Sequence, residues 1–491
     1  MAHIRVEKGN TVTDIECSLN DTLLNVLRSA GIYDGYDAPC GGRGICRRCV
    51  ALLDGTQVLL CSTKPVDGAL VTLDINPDYS LISPDDDINF DHTDFEGLGL
   101  AVDIGTTTLA LALYDLSTGT CLCRYGEGNC QQSFGSDVIS RVKYIMDNSG
   151  GLSELNRAVV SQISSIASKM CSSCSVSVHD IVRVCIAGNT IMEHIFRGLS
   201  PESIAKAPFT PKSLFGSYVN ANDLGFDFSP KSEAYLSRCV SGYVGGDITA
   251  GLSYIEAYKK SGRFLFVDVG TNGEMAVGNS SLIKCCSTAA GPAFEGACLE
   301  CGINASKGAI DKVWVKGDSI EFSTIENGEP SGICGSGYID LLSSLLELGI
   351  VDETGRLMSG DGRYYLSKDI YITSEDIRKL QLAKAAIYAG IITLLDATGT
   401  DFDDIDVFYL SGGFGKYINI NSASNIGLFP FELKDKIVVL GNSSLAGITL
   451  ALLNEDGVNS IEAVSGICDY IELSGLKSFN DNYIDAMYFD A

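Results

Sequence analysis

The sequence is poor in basic residues and has no long apolar run. Lys and Arg total 35 against 62 Asp and Glu, which gives a formal net charge of −27 at pH 7 and an isoelectric point near 4.4. Nucleic acids and anionic membranes bind basic surfaces, so we expect neither as a partner. No apolar run reaches the 18 residues expected of a membrane-spanning helix. A protein or a small molecule remains as the expected partner.

Histidine is also scarce, and the N-terminus does not read as a secretory leader. The four histidines are scattered and match no metal-site or catalytic-triad spacing, so we do not expect histidine-based catalysis. The first ten residues, MAHIRVEKGN, are polar, and the chain has 18 cysteines. Both observations predict a cytoplasmic protein with reduced thiols and no disulfides. The histidines are His3, His92, His179 and His194.

Four cysteines near the N-terminus have the spacing C-x5-C-x2-C-x11-C and predict a [2Fe-2S] cluster, which needs four thiolates. Glycines between the first two cysteines allow the backbone to wrap a small cluster. Asp54-Gly55 predicts a hairpin over residues 50–60 that returns the last cysteine to the others. Structural zinc is the alternative, although zinc sites usually pair two C-x2-C knuckles and this set has one. The predicted ligands are Cys40, Cys46, Cys49 and Cys61.

The pattern around these cysteines predicts a small separate domain. Residues 3–17 alternate like paired strands, and Asn20-Asp21-Thr22 precedes an apolar-periodic helix that ends at Gly31. This is the element order of a β-grasp, ferredoxin-like domain, assigned to residues 1–76. Residues 77–97 are acidic and rich in turn formers, which predicts a linker. A long loop within one domain is the alternative.

The remainder, residues 98–491, contains a weak internal duplication. The segments GLGLAVDIGTTTLALALYD (97–115) and FLFVDVGTNGEMAVGNSS (264–281) share a strand, an Asp, a Gly-Thr turn and a second strand. Later apolar segments of strand length alternate with helical patterns. We therefore expect an α/β fold of two similar lobes, about 98–250 and 251–491.

Both predicted hairpin turns suit phosphate binding. Each presents successive backbone N–H groups after a strand-ending Asp, a concave arrangement that accepts anionic oxygens. The carboxylates of Asp103 and Asp268 suit Mg²⁺ through its water shell. A third turn, residues 411–415, has glycines that let a flat ring approach the backbone. Any one such turn is often only structural, and no Walker A sequence is present.

The order of these three turns resembles the superfamily of acetate and sugar kinases, heat-shock chaperones and actin, whose two lobes close on ATP. The resemblance implies that the first and second turns hold phosphates and the third holds the adenosine. It also implies that segments 184–196 and 441–453 provide the helices that connect the halves. The implied ligand residues are Asp103, Gly105, Thr106 and Thr107 in the first turn, Asp268, Gly270, Thr271, Asn272 and Gly273 in the second, and Gly412, Gly413 and Gly415 in the third.

Further residues have weaker signals. Asp247 is similar in place to the chaperone and actin residue that positions the attacking water, and plain N-capping is its alternative. Glu295 either faces the phosphates or the partner, or packs in a loop. Segment 331–342 predicts a Gly-rich turn into a helix, a place that attracts anions. The cysteine pairs at 171/174, 285/286 and 298/301 are candidates for a second cluster. The alternative is that they are buried and pack like small apolar side chains.

The whole arrangement of cysteine loop, acidic linker and DIGTTT, GNTIMEH, APFTP, DVGTNGE, AAGPAFEG and ICGSGYID motifs resembles the reductive activators of corrinoid proteins over nearly the full chain. The resemblance implies one-electron reduction of Co(II) to Co(I) in a corrinoid carrier, as in O-demethylase or acetogenic methyl-transfer systems. It implies a [2Fe-2S] cluster, ATP and Mg²⁺ as cofactors. A low-potential donor such as a ferredoxin or flavodoxin is implied as a partner, and monomer and homodimer both stay open.

Two other functions use similar parts. An activator of a radical dehydratase or reductase has the same ATPase lobes, but that class bridges a [4Fe-4S] cluster between subunits and has no ferredoxin domain. A small-molecule kinase with a redox-sensing domain requires a phosphoryl acceptor and a base to activate it.

Overall fold

The structure is a computed structural model that describes residues 2–8, 11–32, 49–73, 93, 95–296, 298–413 and 417–489. Its N-terminal part is a five-stranded mixed sheet in the order β2-β1-β5-β3-β4, with β1 antiparallel to β2 and parallel to β5. The elements are β1 (Ala2–Lys8), β2 (Thr11–Cys17), α1 (Leu23–Ser29), β3 (Val50–Leu53), β4 (Thr56–Leu59) and β5 (Leu70–Thr72).

Local sequence explains this N-terminal part. Thr22 is the N-cap of α1, where its side chain accepts a hydrogen bond from the Asn25 N–H at 3.3 Å. Asp54 and Gly55 have φ of 50° and 81°, the left-handed values that a two-residue hairpin turn requires. The predicted strand pair, helix and hairpin are therefore confirmed. The predicted linker lies mostly outside the described residues.

The part from residue 98 onward begins with a six-stranded first sheet in the order β10-β11-β9-β6-β7-β8. Helices α2, α3 and α4 lie on one face of this sheet and enclose an apolar core with it. Its elements are β6 (Leu98–Ile104), β7 (Thr108–Asp115), β8 (Thr120–Gly128), α2 (Val138–Asp147), α3 (Gly151–Ser173), β9 (Ile181–Gly188), α4 (Thr190–Phe196), β10 (Ser217–Asn220), β11 (Glu233–Leu236) and α5 (Gly246–Tyr254).

A second six-stranded sheet follows, in the order β21-β20-β12-β13-β14-β22. The elements after α5 are β12 (Arg263–Val269), β13 (Gly273–Asn279), β14 (Leu282–Thr288), β15 (Ala309–Lys316), β16 (Ser319–Thr324), β17 (Gly332–Ile333), α6 (Gly335–Glu347), β18 (Arg363–Tyr365), β19 (Tyr371–Thr373), α7 (Ser374–Thr398), β20 (Ile405–Ser411), α8 (Ile420–Asn425), β21 (Ile437–Gly441), α9 (Ser443–Leu453), α10 (Glu455–Ile467), β22 (Cys468–Tyr470) and α11 (Lys477–Asp485). Strands β15, β16 and β17 form a small separate sheet, and β18 pairs with β19.

The two large sheets share one topology. In each, a central strand (β6 or β12) pairs antiparallel with the next strand and parallel with a later one (β9 or β20). The outer neighbours, β8 and β11 in one sheet and β14 and β21 in the other, are also equivalent. The predicted duplication is therefore confirmed at the level of strand order and direction.

The helices between the sheets are exchanged relative to chain order. Helix α5 follows the first sheet in sequence and touches its core through Ala250, but its Ile248 and Leu252 belong to the core of the second sheet with Phe264 and Phe266. Helix α9 follows β21 of the second sheet but packs on the first, around Ala101. The two helices meet so closely at Gly447 that an added Cβ would lie 1.9 Å from the Ala250 carbonyl oxygen.

This packing corrects one expectation. Segment 184–196 was predicted to supply a helix connecting the halves, but its helix α4 is buried in the core of the first sheet through Ile191, Met192 and Ile195. Helix α5 is the partner of α9 instead. An apolar pattern shows that a helix is buried, but it does not show which sheet covers it.

Helix α7 is the one helix in the described part of the chain with the length and apolar composition of a membrane span. The protein buries 72% of its most apolar window. Its residues Ile377, Leu380, Ile387, Ile391 and Leu394 belong to the core beside the second sheet. The apolar character of α7 is explained by this burial.

Candidate functional site

The turns β6–β7 and β12–β13 face a single cavity of about 360 Å³ between the two sheets. The Oγ1 atoms of Thr107 and Thr271, one from each turn, are 3.2 Å apart. The third turn, after β20, contributes to the same wall. The predicted residues that line this cavity are Asp103, Gly105, Thr106, Thr107, Asp247, Asp268, Gly270, Thr271, Asn272, Glu295, Gly412 and Gly413.

Asp103, near the end of β6, is held by the start of α9. Asn442 donates from Nδ2 to Asp103 Oδ2 at 2.8 Å, and Ser444 donates from Oγ to Oδ1 at 2.9 Å. Burial raises the pKa of Asp103, and these two hydrogen bonds oppose the rise. The turn between β6 and β7 is therefore attached to a helix that lies more than 300 residues later in the chain.

Asp268, near the end of β12, has a different partner. Ser411 at the end of β20 donates to Asp268 Oδ2 at 2.8 Å, and the Ser411 hydroxyl is 2.6 Å from that of Ser443. Burial raises the pKa of Asp268 to about 6, with a further contribution from the charge of Asp103. Gly412 follows with φ of 102°, and an added Cβ would lie 2.4 Å from the Val269 carbonyl oxygen. Only glycine fits there without strain.

Asp247 is the second residue of α5, whose N-cap is Gly245. The N-capping alternative for Asp247 is therefore wrong; its Oδ1 accepts from the Ile248 N–H at 2.8 Å, inside the helix. Burial raises the pKa of Asp247 to about 8, and the negative charges of Asp268 and Asp103 add to the shift. These three aspartates thus share the cavity, and their repulsion favours either a proton or a cation.

Glu295 also lines the cavity. Thr271 donates from Oγ1 to Glu295 Oε1 at 2.8 Å, so Glu295 is attached to the turn between β12 and β13. This contact places its carboxylate beside the cavity and favours the functional interpretation over simple loop packing.

Two predicted ligand residues do not join this set. Gly273 lies in β13 and does not line the cavity; an added Cβ would lie 2.4 Å from Ile387 Cδ1 and 3.0 Å from Thr288 Oγ1. Its small size serves packing against α7, which corrects the expectation of a phosphate contact. Gly415 lies outside the described residues.

Several cavity residues were not singled out from the sequence. Asn189 donates from Nδ2 to Thr106 Oγ1 at 3.0 Å, and Asn442 and Ser444 hold Asp103. Glu274 is only 7% exposed, and burial, with the charges of Asp247 and Asp268, raises its pKa well above the usual range. Glu274 directly follows the second motif, which was the available signal. Asn189, Asn442 and Ser444 stand in segments that the sequence did single out, 184–196 and 441–453, but those segments predicted only connecting helices, because tertiary contacts alone bring these side chains to the cavity.

The Gly-rich turn predicted over 331–342 does reach the site. Helix α6 starts at Gly335 with Cys334 as its N-cap, and Cys334, Gly335 and Ser336 all line the cavity. This wall belongs to the second half of the chain, and none of its three residues was predicted to be catalytic. It adds the start of a helix, a place that attracts anions, to the wall of the cavity.

The cysteine set is described in part. Cys40 and Cys46 lie outside the described residues. Within the described ranges, no group of three or more His, Cys, Asp or Glu side chains is arranged to hold a metal ion. Cys49 and Cys61 are buried at 0% and 8% exposure. The Cys61 N–H points at Cys49 Sγ, 3.4 Å away. A backbone donor aimed at sulfur stabilises a thiolate, so this pair fits a cluster ligand set.

Two family models match the ATPase part of the chain. One, described as the RACo middle region, covers residues 98–260, and one, described as the C-terminal domain of RACo, the ASKHA domain, covers residues 263–491. The corrinoid activation enzyme RamQ of Eubacterium limosum is 33% identical over 412 residues, 79% of this chain and 69% of the relative. The chain belongs to the family of reductive activators of corrinoid proteins. It is therefore an enzyme with an actin-like ATPase domain, and the predicted fold class and resemblance are confirmed.

Two other relatives also match most of this chain. The Methanosarcina barkeri reductase of the Co(II) methylated amine-specific corrinoid protein is 25% identical over 419 residues, 79% of this chain and 76% of that protein. A solved structure of a reductive activator for a corrinoid, iron-sulfur protein superposes with a TM-score of 0.73 at 29% identity. That match covers 99% of this activator and 98% of the solved chain, so the likeness includes the N-terminal part.

Proposed function

We propose that this activator uses ATP to transfer one electron to the Co(II) form of a corrinoid protein and returns it to Co(I). The observation that carries the proposal is the single cavity in which both hairpin turns and five carboxyl groups meet, in a chain of this family. It supports a nucleotide site between two halves that are able to close. The relatives name a corrinoid protein as the molecule acted on.

In this proposal the two turns bind the phosphates of ATP through their backbone N–H groups and hydroxyls. Asp103 and Asp268 hold Mg²⁺ through its water shell, since Mg²⁺ dehydrates reluctantly. Gly105, Thr106 and Thr107 act on one side, and Gly270, Thr271 and Asn272 on the other. The adenosine lies against Gly412 and Gly413, with Gly415 as the predicted continuation of that turn. Gly413 supports this because no atom lies within 4 Å of the place where its Cβ would be, so a flat ring can approach the backbone there.

Asp247 has the position of a residue that orients water for hydrolysis. The Ile248 N–H occupies its Oδ1, which leaves Oδ2 toward the cavity. Its pKa of about 8 means that it is mostly protonated at neutral pH while the cavity holds no cation. Cation binding would release that proton and convert Asp247 into an acceptor that can orient water. Glu295 completes the polar wall through Thr271.

Closure of the two halves is the step that uses ATP. Asn442 and Ser444 on α9 hold Asp103 of the first turn, and Ser443 on the same helix contacts Ser411, which holds Asp268 of the second. One helix therefore responds to ligands on both turns. A nucleotide that binds the closed arrangement more tightly shifts the population toward it, and partner docking shifts with it.

The N-terminal part is proposed to hold a [2Fe-2S] cluster on Cys40, Cys46, Cys49 and Cys61. When bound, such a cluster carries one electron at a potential near roughly −400 mV. The backbone would stabilise a thiolate at Cys49, because Cys49 Sγ accepts a hydrogen bond from the Cys61 N–H. The parallel pairing of β1 with β5 in a mixed sheet supports the β-grasp, ferredoxin-like assignment of residues 1–76. Zinc stays the alternative for this set.

We further propose a low-potential donor such as a ferredoxin or flavodoxin, a cytoplasmic location, and no nucleic-acid or membrane partner. The acidic composition supports the last point. Residues 77–97 are proposed as the linker and 98–491 as the ATPase, with lobes of about 98–250 and 251–491. The exchange of α5 and α9 means that each proposed lobe is packed with a helix from across the boundary. Monomer and homodimer both stay open.

The deciding experiment follows conversion of Co(II) to Co(I) in a corrinoid carrier by absorbance, with a low-potential reductant, with and without ATP and Mg²⁺. Fast reduction only with ATP, and none with Asp268→Ala, is expected. Equal rates without ATP would contradict the proposal. ADP formed only when a small-molecule acceptor is present would instead favour the kinase with a redox-sensing domain.

The cluster is tested separately with Cys49→Ser. This variant should lose the visible absorption and the iron of the purified protein while it keeps ATP binding. Cys17→Ser is the matched control, because Cys17 is buried in the same N-terminal core but lies outside the set. Zinc bound in place of iron, or a [4Fe-4S] signal after anaerobic purification, would overturn the cluster assignment.

A further inference from the structure

Three buried side chains bind three consecutive carbonyl groups behind the first phosphate turn. Asn129 donates from Nδ2 to the Gly105 carbonyl at 2.8 Å, Arg141 donates from Nη2 to that of Thr106 at 2.5 Å, and Gln132 donates to that of Thr107. Each carbonyl therefore points away from the cavity. Because N–H and C=O point to opposite sides of a peptide plane, the amides that follow are directed toward the cavity.

Arg141 is an unusual member of this set because its charge is buried with no carboxylate among its hydrogen-bond or ion-pair partners; the charge of Asp137, the N-cap of α2, acts on it only from a distance. It is 0% exposed, and its other contacts are neutral: the Gly135 carbonyl at 3.0 Å, Gln131 Oε1 at 3.4 Å and Met192 Sδ at 3.1 Å. No ion pair joins it to any residue in the described ranges. Burial lowers its pKa to about 10, so the guanidinium stays protonated at neutral pH.

A buried cation without an anion is costly, and a nearby anionic ligand reduces that cost. Arg141 itself does not line the cavity, but the residue it binds, Thr106, does. The guanidinium thus lies one peptide unit behind the wall that faces the proposed phosphates. The only described basic residue in that wall is Arg124, while the acidic groups there are numerous. The charge of Arg141 therefore acts on the cavity from behind.

We propose that Arg141, together with Asn129 and Gln132, is a positioning residue that aims the first turn at phosphate and supplies it with a fixed positive charge. This rests on the proposed nucleotide site. The gain in affinity should grow with the number of phosphates, because the charge acts on the anion and not on the nucleoside. A purely structural role would affect ATP and adenosine alike.

The test measures binding of ATP, ADP and adenosine to the full-length protein by calorimetry in the presence of Mg²⁺. Arg141→Met should weaken ATP on the order of tenfold, ADP less, and adenosine hardly at all. Arg141→Lys keeps the charge and should recover most of the ATP affinity. Lys143→Met is the matched control, because it removes one exposed positive charge from the same helix α2 and should leave all three ligands unchanged.

Gln132→Glu covers the case in which Arg141→Met does not fold. It keeps the shape of the side chain but replaces a donor near the Thr107 carbonyl with a negative charge, and should also weaken ATP more than adenosine. Equal losses for ATP and adenosine in these variants, or no loss in either, would overturn the inference. Absence of ATP binding by the unmodified protein would contradict the nucleotide site itself instead.

Discussion

The two turns proposed to bind phosphate, β6–β7 and β12–β13, join equivalent strands but have opposite electrostatic surroundings. Behind the first turn lie a buried guanidinium and two amides that bind its carbonyl groups. The second turn closes on its own backbone, where the Gly270 N–H donates to the Asn272 carbonyl at 2.9 Å and the Gly291 N–H to that of Thr271 at 2.8 Å. Its neighbours Glu274 and Glu295 are acidic. Duplication of a fold has therefore not preserved the electrostatics of the turns.

This difference suggests a division of tasks between the halves. A turn backed by a cation suits the phosphate chain, whereas a turn surrounded by carboxyl groups suits hydrated Mg²⁺ and the orientation of water. Asp103 and Asp268 occupy equivalent positions, yet Asp103 is held by two donors from α9 and Asp268 by one serine from β20. The comparison predicts that equivalent substitutions in the two turns have unequal effects.

The largest effect is expected from Asp268→Ala, which should lower ATP hydrolysis by at least about a hundredfold with iron content unchanged. Asp103→Ala should lower it comparably and should also destabilise the fold, because Asn442 and Ser444 lose their shared acceptor. Steady-state ATPase assays, iron analysis and thermal unfolding check this. Asp318→Ala, in the exposed β15–β16 turn, is the control. Unchanged hydrolysis in both turn variants would place the nucleotide elsewhere.

A smaller and more selective effect is expected from Asp247→Asn. Corrinoid carrier in the Co(II) form should stimulate ATP hydrolysis, since docking and nucleotide binding influence each other reciprocally. The variant should reduce this stimulated rate roughly tenfold, with ATP affinity nearly unchanged. ATPase rates with and without the carrier, together with the ATP affinity measured by calorimetry, separate an effect on hydrolysis from an effect on binding. Equal losses of rate and affinity would mean that Asp247 serves binding and not hydrolysis.

Asp247 should also make the stability of the unliganded protein depend on pH. Its pKa is raised from 3.8 to about 8 in the folded state, so between these values the native protein holds a proton that the unfolded chain has lost. The associated stability is present below about pH 4 and is lost as the pH rises through about 8. Asp247→Asn should therefore raise the Tm at pH 8.5 more than at pH 5, without nucleotide or Mg²⁺. A pH-independent change would contradict this.

The smallest effect is expected from Ser411→Ala. Its hydroxyl donates to Asp268 and lowers the pKa of that carboxyl, so its removal should raise the pKa above the present value of about 6. The acidic limb of the ATPase pH profile should then move upward, by less than about one unit. Ser444→Ala makes the same kind of change at Asp103 and provides the comparison between the turns. A shift toward lower pH in Ser411→Ala would contradict the assignment.

A truncated protein that lacks the N-terminal part should begin early enough to keep Phe95. Phe95 lies 3.9 Å below the guanidinium of Arg183 and packs at the edge of the core between the first sheet and α9. A chain that begins at Thr93 keeps this contact, whereas one that begins at Glu96 loses it. The longer version is therefore the better choice for asking whether the ATPase hydrolyses ATP but transfers no electron without the cysteine loop.

Local patterns in the sequence were sufficient for the elements whose physics is local. Thr22 at the start of α1, Asp54-Gly55 in the hairpin and the Asp-x-Gly-Thr turns after β6 and β12 each depend on residues within a few positions of one another. Strand alternation and the repeated motif also predicted the two related sheets. The spacing of the four cysteines predicts a ligand set in the same way, and two members of that set, Cys49 and Cys61, lie in contact.

Contacts between distant segments could not be read from local patterns. The exchange of α5 and α9, the hold of Asn442 on Asp103 across 339 positions, and the placement of Arg141 behind Thr106 depend on how the sheets stack. The wrong prediction for α4 has the same origin, because an apolar pattern predicts that a helix is buried but not which sheet packs against it. Sequence therefore determined the turns and the residues that bear the chemistry, because backbone geometry and side-chain type act over short range. Only the tertiary structure decided which groups share the cavity, since burial and charge there depend on neighbours brought together by folding.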